Sequence, residues 1–256
     1  ASISAGEAPA ALIVGYQNDQ AFYQLNEGLA DLNNYVDDPH RGLTDEEKAD
    51  FYAGFFDQSV HTAFDSQRLG FPPNRPIEVL YYNADWLAEL GYDAPPTTPE
   101  EFKEIACAAS AQPFSGATTE GNVGYEFSND ASTIASFAFA RGGNMFDYNT
   151  SQYTYNSDEA VASMELLQDM FDEGCATLEV ENYGDQTDFG AGYTLFTISS
   201  SSGLPYYQSA VEEGANFAWG VAPIPYTGDE PVMNIYGASV GIPAGHSPEA
   251  DLATWL

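Results

Sequence analysis

Short apolar runs alternate with amphipathic stretches along this chain. Residues 10–16, 77–83 and 193–198 are rich in β-branched and aromatic side chains, which favour buried strands. Between such runs, residues 98–101 read Thr-Pro-Glu-Glu, a helix start with an N-cap, an N1 proline and an N3 glutamate. Residues 161–171 place apolar side chains at helical spacing, as a core-facing helix does. This alternation predicts an α/β fold with a mostly parallel sheet.

The stretch from Asp188 to Val211 combines a strand signal, a polar turn and a helix signal. The predicted strand at 193–198 runs into four serines at 199–202 and then Gly203, and a predicted helix begins near Leu204. The first amide groups of a helix have no partner inside it and lie at the positive end of its dipole. A hydroxyl-rich turn in front of them suits a hydroxylated or anionic ligand. The alternative is an ordinary serine-rich loop that caps the helix.

Two other clusters of polar side chains follow predicted strands. They are Gln17, Asn18 and Asp19 after residues 10–16, and Asn129, Asp130 and Ser132 after residues 121–127. Ligands of open α/β sheets bind outside the carboxyl ends of the strands. The position of these clusters therefore makes them candidate ligand contacts, and surface loops are the alternative.

Composition narrows the class of partner. The chain has 39 acidic and 6 basic residues in 256, a formal net charge of −33, and 44% of its residues are hydrophobic. A chain of this length and hydrophobicity can bury a large core. Binding to nucleic acid or to anionic lipid headgroups needs clustered basic residues, so we exclude both as main partners. No apolar run approaches the ~20 residues of a membrane-spanning helix.

Catalytic, metal and cofactor motifs are not evident. Cys107 and Cys175 lack CxxC spacing and a neighbouring histidine, which argues against a zinc or redox motif. Two buried free thiols and a disulfide both remain open for this pair. The chain has no P-loop and no HExxH motif. We interpret Ser200 as a hydrogen-bonding group for a ligand and not as a nucleophile.

Four stretches of the chain share one resemblance. They read LYYNADWLAELGYDAPPTTPEEF at 80–102, FGAGYTLFTISSSSGLPYY at 189–207, WGVAPIPYTGDEPVMNIYGASVGIP at 219–243 and SPEADLATWL at 247–256. In this order they resemble segments of the extracellular solute-binding proteins of ABC importers, in the group related to the maltose- and glycerol-3-phosphate-binding proteins. The resemblance extends over nearly the whole chain.

The resemblance implies a two-lobed fold of the type II periplasmic-binding-protein kind, with crossing strands between the lobes. Residues 1–79 and 219–256 would form lobe 1, and residues 80–218 would form lobe 2. Both ends of the chain would be cut from a longer protein. Because the family is exported to oxidising surroundings, Cys107 and Cys175 would form a disulfide.

The resemblance also implies which segments line the cleft between the lobes. Tyr236 and Gly237 on the return crossing join the serine turn and the two polar clusters as candidate contacts. Maltodextrin binders present aromatic side chains near the segments that match residues 128–132 and 199–202, where this chain has small polar residues. The expected solute is therefore small and polyhydroxylated: a monosaccharide, a short glycoside, a polyol or a glycerophosphate-like compound.

The implied function is non-catalytic delivery of this solute to an ABC permease in the membrane. The protein would act outside the cell or in the periplasm, held at the cell surface by a lipid anchor that precedes residue 1. Two other classes of function remain as alternatives. One is a carbohydrate hydrolase that uses paired carboxylates, and the other is a surface-layer or filament protein that reuses the fold.

Overall fold

The structure is a computed structural model that describes residues 12–245. These residues divide into two compact units. Unit 1 contains residues 12–75 and 235–245, and unit 2 contains residues 76–234. The beginning of the predicted first strand, and the whole of the stretch 247–256 that contributes to the resemblance, lie outside the described residues.

The unit boundaries differ from the lobe boundaries that the resemblance implies, at 79/80 and 218/219. Residues 76–79 belong to unit 2, and residues 219–222 pair in register with residues 80–83 of the same unit. Both segments therefore lie with unit 2 and not with residues 12–75. The lobe assignment of the whole protein stays a prediction.

The secondary structure consists of short strands and short to medium helices. In chain order the strands are β1 (Ile13–Gly15), β2 (Val60–His61), β3 (Gln67–Arg68), β4 (Glu78–Asn83), β5 (Val123–Phe127), β6 (Phe146–Asp147), β7 (Gln152–Tyr153), β8 (Ala176–Leu178), β9 (Thr194–Ser200), β10 (Trp219–Ala222) and β11 (Ser239–Gly241). The helices are α1 (Gln17–Gln24), α2 (Asn33–Val36), α3 (Asp45–Asp50), α4 (Ala53–Phe56), α5 (Ala84–Glu89), α6 (Pro99–Ala111), α7 (Ala131–Ala140), α8 (Asp158–Asp172), α9 (Gly184–Gly190) and α10 (Leu204–Glu213).

Unit 1 joins its two chain segments by strand pairing. β1 pairs antiparallel with β11, so that Val14 lies opposite Val240, and β2 pairs antiparallel with β3. Helix α1 follows β1 almost at once, so the polar cluster that begins with Gln17 is the first turn of a helix and not a loop. The backbone amide of Tyr16 donates to Asp19 Oδ2 (2.9 Å), which ties the chain to this first turn.

Unit 2 is built on one five-stranded sheet with the order β10-β4-β9-β5-β8. β5 is parallel to β8 and β9, but β4 is antiparallel to both β9 and β10. The sheet is therefore mixed. The prediction of a mostly parallel sheet was wrong for the strands β10, β4 and β9, which pair antiparallel. An apolar run indicates that a strand is buried, but it carries no information on the direction of its neighbour.

The core of unit 2 is rich in aromatic side chains that are fully buried. They include Trp86, Phe102, Phe189 and Phe196, each with an exposed fraction of 0%. Helix α6 begins with the predicted cap, since Thr98 Oγ1 accepts a hydrogen bond from the Glu101 amide. Its start is thus determined locally, and its packing against β5 is determined by the core.

A disulfide links α6 to the beginning of β8. Cys107 and Cys175 are bonded, their Cα atoms lie 4.5 Å apart, and they are 68 residues apart in sequence. The disulfide that the resemblance implied is confirmed.

Candidate functional site

The serine turn lies between a buried strand and a helix, as the sequence predicted. β9 leads into one 3-10 turn at residues 201–203, and α10 follows directly. Ser200 Oγ accepts a hydrogen bond from the Ser202 amide (3.2 Å) and lies 2.7 Å from Ser202 Oγ. These two hydroxyls therefore lie side by side, and both line the pocket described below.

Ser201 has a different environment from its two neighbours. Its Oγ accepts a hydrogen bond from the Ile77 amide (3.1 Å), and its own amide donates to the Ile77 carbonyl (2.8 Å). Both contacts attach the turn to the residue that precedes β4. Ser201 thus holds the turn in place, and its hydroxyl already has a partner inside the protein.

A pocket of about 430 Å³ opens beside the serine turn. Among the residues that the structure describes, its lining offers two tyrosines, a glutamine and three serines, and no charged side chain. The lining residues are Tyr183, Gln186, Ser199, Ser200, Ser202, Gly203 and Tyr206. Aromatic surface combined with a few amide and hydroxyl groups is the chemistry that recognises neutral, polyhydroxylated molecules.

The two tyrosines of the pocket are exposed. Tyr183 is 69% exposed and Tyr206 is 65% exposed. Tyr183 precedes α9 and has a left-handed backbone (φ 64°), a conformation that is uncommon for a bulky residue and concentrates at binding sites. Tyr206 lies in the first turn of α10. Large aromatic side chains that remain in solvent beside hydroxyl groups are available to a ligand.

A buried network supports the pocket from below. The Tyr81 hydroxyl donates to the Ser200 carbonyl (2.7 Å), and the Tyr81 ring stacks on Tyr207 with centroids 3.9 Å apart. The Tyr207 hydroxyl donates to Asp185, and Thr197 Oγ1 donates to the same carboxylate oxygen (3.1 Å). Burial raises the pKa of Asp185, and the hydrogen bond from Tyr207 opposes that shift. The network joins β4, β9, α9 and α10, so it fixes the backbone under the serines.

The second candidate cluster of unit 2 forms the start of α7. Asp130 Oδ1 accepts a hydrogen bond from the Ser132 amide (2.8 Å) and is the N-cap of the helix. Asn129 is exposed and Ser132 is half-buried. None of these three residues lines the pocket. Their predicted role as ligand contacts stays a prediction.

The remaining candidates lie in unit 1. Asn18 is exposed, Gln17 is half-buried, and Asp19 caps α1 as described. Gly237 has a φ of 127°, which suits glycine, and its carbonyl accepts a hydrogen bond from Arg75 Nη1 (3.2 Å). Tyr236 precedes it and is half-buried. The ligand contacts predicted for this unit stay predictions.

Residues 237–241 read Gly-Ala-Ser-Val-Gly, the spacing of a nucleophile elbow. Ser239 is fully buried, its Oγ lies 2.7 Å from Ser59 Oγ, and it accepts a hydrogen bond from Arg75 Nη2. It begins strand β11 and does not sit on a strand-to-helix turn. The serine is therefore a structural group of unit 1.

Sequence reasoning missed Tyr183, Gln186 and Tyr206 as site residues. Tyr183 and Gln186 belong to the segment of α9, whose two glycines weaken a helix signal. Tyr206 could have been found, since a tyrosine pair in the first turn after the serines must place its two rings in different environments. The aromatic side chains of this pocket come from Tyr183 and Tyr206, which lie outside residues 128–132 and 199–202.

Within residues 12–245, one group of histidine, cysteine and carboxylate side chains has the spacing of a metal site. It consists of Cys107, Cys175 and Glu173. Both sulfurs are bonded to each other, and a metal ligand has to be a thiolate. The group is therefore a disulfide with a nearby carboxylate.

Comparison with known proteins identifies a family. The sequence model of the family described as bacterial extracellular solute-binding protein matches residues 1–256. No curated protein matches the chain.

Solved structures share the fold at low sequence identity. UgpB from Mycobacterium tuberculosis, in complex with glycerophosphocholine, has a TM-score of 0.78 and 19% identity over 95% of this chain and 58% of its own. The sugar-binding protein MalE from Xanthomonas citri has a TM-score of 0.78 and 19% identity over 99% and 61%. An ABC transporter solute-binding protein from Agrobacterium radiobacter K84, in complex with ribitol, has a TM-score of 0.73 and 19% identity over 99% and 62%.

These matches confirm the predicted α/β fold of two-lobed type II binding proteins. The chain spans about three-fifths of the length of the solved structures it matches.

Proposed function

The chain belongs to the bacterial extracellular solute-binding proteins, and on this premise we propose that it binds a neutral carbohydrate and delivers it to an ABC permease. One observation supports the class of solute: the pocket beside the serine turn combines two exposed tyrosines with hydroxyl and amide groups, and none of its lining residues within 12–245 is charged. Binding is the whole activity, and the solute is released unchanged.

The charge of unit 2 argues against a phosphorylated solute. Its two basic residues are Lys103 and Arg141, and neither lines the pocket. Lys103 Nζ is already paired with Asp169 (3.2 Å) and Glu173 (2.8 Å). Phosphate groups in proteins are bound by arginine, lysine or arrays of backbone amides. The glycerophosphate-like class is therefore the least favoured of the expected solutes.

The two tyrosines favour a ring-shaped solute over an open-chain polyol. A pyranose has an apolar face that an aromatic ring can cover, while its hydroxyls lie at the edge where serine and glutamine side chains can reach them. Ser200 and Ser202 present adjacent hydroxyls, and Gln186 offers both a donor and an acceptor. Pocket walls of this kind bind a sugar in a defined orientation.

Isothermal titration calorimetry with maltose, ribitol and glycerophosphocholine tests the proposal. We expect saturable binding of maltose by the purified protein and recovery of intact maltose afterwards. Tyr206→Ala should weaken maltose binding about tenfold or more, because truncation of a buried aromatic anchor typically has an effect of this size. Tyr148→Ala is the matched control, since Tyr148 is 82% exposed and outside the pocket.

Tighter binding of glycerophosphocholine than of maltose would overturn the proposed solute class. Equal affinity of the wild type and Tyr206→Ala would show that the sugar binds elsewhere. Conversion of maltose to glucose would favour the hydrolase alternative.

We propose that the protein acts outside the cell or in the periplasm, which its membership of an extracellular family supports, and that a lipid anchor attaches it to the cell surface. Within residues 12–245, no helix has the length and apolar character to cross a bilayer. Protease treatment of intact cells should cleave the protein, and detergent partitioning should place the native protein in the detergent phase. Recovery of the native protein from the aqueous phase would contradict the lipid anchor but not the proposed place of action.

A further inference from the structure

Glu78 is a buried carboxylate on β4, between the two candidate segments of unit 2. It is 2% exposed and lies opposite Ser200 in the antiparallel pairing of β4 with β9. Among the described residues, no lysine or arginine forms an ion pair with it. A buried carboxylate without a cation is unfavourable unless hydrogen bonds compensate for its lost hydration.

Hydroxyl groups at the start of α7 supply that compensation. Thr133 Oγ1 donates to Glu78 Oε1 (3.1 Å), Ser136 Oγ donates to Oε2 (3.3 Å), and the Ser132 side chain also hydrogen bonds to the carboxylate. Burial raises the pKa of Glu78, these hydrogen bonds oppose the shift, and the negative charge of Asp130 adds to it.

A second titratable group near Glu78, besides Asp130, is Tyr125 on strand β5. The Glu78 charge contributes to raising the pKa of its hydroxyl, although burial contributes more. β9 faces Glu78 with Ser200, which carries no charge. The carboxylate is therefore surrounded by hydroxyl groups and by negative or neutral side chains, and its contacts are directed at α7.

The residue before Glu78 makes the complementary contacts to the serine turn. Ile77 exchanges two hydrogen bonds with Ser201, at 3.1 and 2.8 Å. The amide of Glu78 itself donates to the Asn234 carbonyl (3.0 Å), at the end of unit 2. Residues 77–78 thus touch the serine turn on one side and the start of α7 on the other.

We propose that Glu78 is a positioning residue of the solute site. Its carboxylate holds the start of α7, with Asn129 to Ser132, at a fixed distance from the serine turn. The inference rests on the proposed function for the solute at the serine turn and on the prediction that Asn129 to Ser132 contact the same solute, and it requires no contact between Glu78 and the solute. Burial of a carboxylate is unfavourable unless hydrogen bonds compensate for the lost hydration. We therefore attribute the presence of Glu78 at this buried position to its hydrogen bonds with α7.

Hydrogen exchange measured by mass spectrometry on the solute-free protein tests the positioning role. Glu78→Leu removes both carboxylate oxygens that accept hydrogen bonds from the hydroxyl groups of α7, so amides of residues 131–136 should exchange about tenfold faster or more. Glu78→Gln keeps one acceptor and the shape of the side chain, and exchange should return to within about threefold of the wild type. Glu126→Leu is the matched control, since Glu126 is also 2% exposed and lies on β5, a strand of the same sheet that is separated from β4 by β9.

The control variant Glu126→Leu should change the amide exchange rates around α9, where Glu126 has its charged neighbours. It should leave the exchange rates of residues 131–136 at their wild-type values. If Glu78→Leu does not fold, Thr133→Val replaces it, and exchange at the same amides should rise at least about threefold. The positioning role is overturned if the folded variant exchanges the amides of residues 131–136 at the wild-type rate. It is also overturned if the exchange rates of all amides of unit 2 rise equally.

Maltose calorimetry on the same variants separates this inference from the proposed function. Glu78→Leu should bind maltose at least about tenfold more weakly, and Glu78→Gln should bind nearly as the wild type does. A wild type that binds no maltose contradicts the proposed solute and leaves the exchange result to decide the role of Glu78. Wild-type affinity in Glu78→Leu overturns the link between Glu78 and the site.

Discussion

At the scale of single residues, the two neighbouring tyrosines of α10 have opposite roles. Tyr206 is 65% exposed and lines the pocket, whereas Tyr207 is fully buried and binds Asp185 through its hydroxyl. Residues one position apart on a helix face different directions, so one can serve a ligand while the other supports the fold. Tyr206 is thus held in the pocket wall by the buried contacts of the adjacent Tyr207.

Tyr207→Phe tests the supporting role at this scale. The variant keeps the ring stacked on Tyr81 and removes the hydroxyl, which donates to Asp185 and also hydrogen bonds to Ser199 and Thr197. The Asp185 carboxylate then retains Thr197 as a donor. Loss of a hydrogen bond to a buried charged group should lower the free energy of unfolding by about 1–3 kcal/mol. Urea titration followed by circular dichroism measures the change.

Tyr155→Phe is the control for this variant, since Tyr155 is 65% exposed. It should change the urea midpoint very little. Equal midpoints for Tyr207→Phe and the wild type would show that the Asp185 contact does not stabilise unit 2.

At the scale of elements, the start of α6 is determined by local contacts, and its position in the fold is determined by distant ones. Its N-cap, N1 proline and N3 glutamate define where the helix begins. Its buried face, which includes Phe102 and Ile105, packs on the sheet. Its later turns are fixed to the start of β8 by the disulfide from Cys107 to Cys175.

The disulfide should contribute substantially to stability. It closes a loop with a sequence separation of 68 residues, and disulfides with loops of this order typically stabilise by about 2–4 kcal/mol. The double variant Cys107→Ala, Cys175→Ala should lose a similar amount, measured by urea titration. Reduction of the wild type should shift its midpoint in the same direction and should leave the double variant unchanged. Equal midpoints for oxidised and reduced wild type would contradict this prediction.

At the scale of the whole molecule, the excess of acids reaches into the interior. Glu126 on β5 is 2% exposed, and Asp188 and Asp185 lie on α9 near it. Burial, followed by the negative charges of Asp188 and Asp185, raises the pKa of the Glu126 carboxyl to about 8. Its side chain also hydrogen bonds to Asp188, so the two carboxyls can share a proton.

The stability of unit 2 should therefore fall as the pH rises. The ordinary pKa of the glutamate, 4.5, applies to the unfolded chain, and the folded value is about 8. The folded state binds the proton more tightly, so its stabilising effect is complete below the unfolded pKa, decreases between about 4.5 and 8, and is lost above 8. Urea titrations at pH 5, 7 and 9, at constant ionic strength, measure the loss.

In the variant Glu126→Gln, the free energy of unfolding should depend less on pH over the same range, because glutamine does not titrate. Glu120→Gln is the control, since Glu120 is exposed, and it should retain the wild-type dependence. The general repulsion among 39 acidic residues acts in the same direction and remains in both variants. Parallel pH profiles for Glu126→Gln and the wild type would show that this carboxyl is not the source.

The sequence by itself determined the alternation of strands and helices, the start of α6 and the order of strand, serine turn and helix at residues 193–204. These features depend on neighbours within a few positions: side-chain periodicity, capping residues and turn residues. The resemblance, which is carried by ordered segments over nearly the whole chain, added the family. It also added the disulfide, because an exported protein meets oxidising surroundings.

Only the tertiary structure decided which residues of these segments are available to a ligand. Ser200 and Ser202 line a pocket while Ser201 is bound to Ile77, although the three are chemically identical. The direction of β4 and the contacts of Glu78 were likewise beyond the local pattern. The physical reason is that exposure, strand direction and hydrogen-bond partners depend on which distant segments pack against a residue, and a local sequence pattern does not contain those segments.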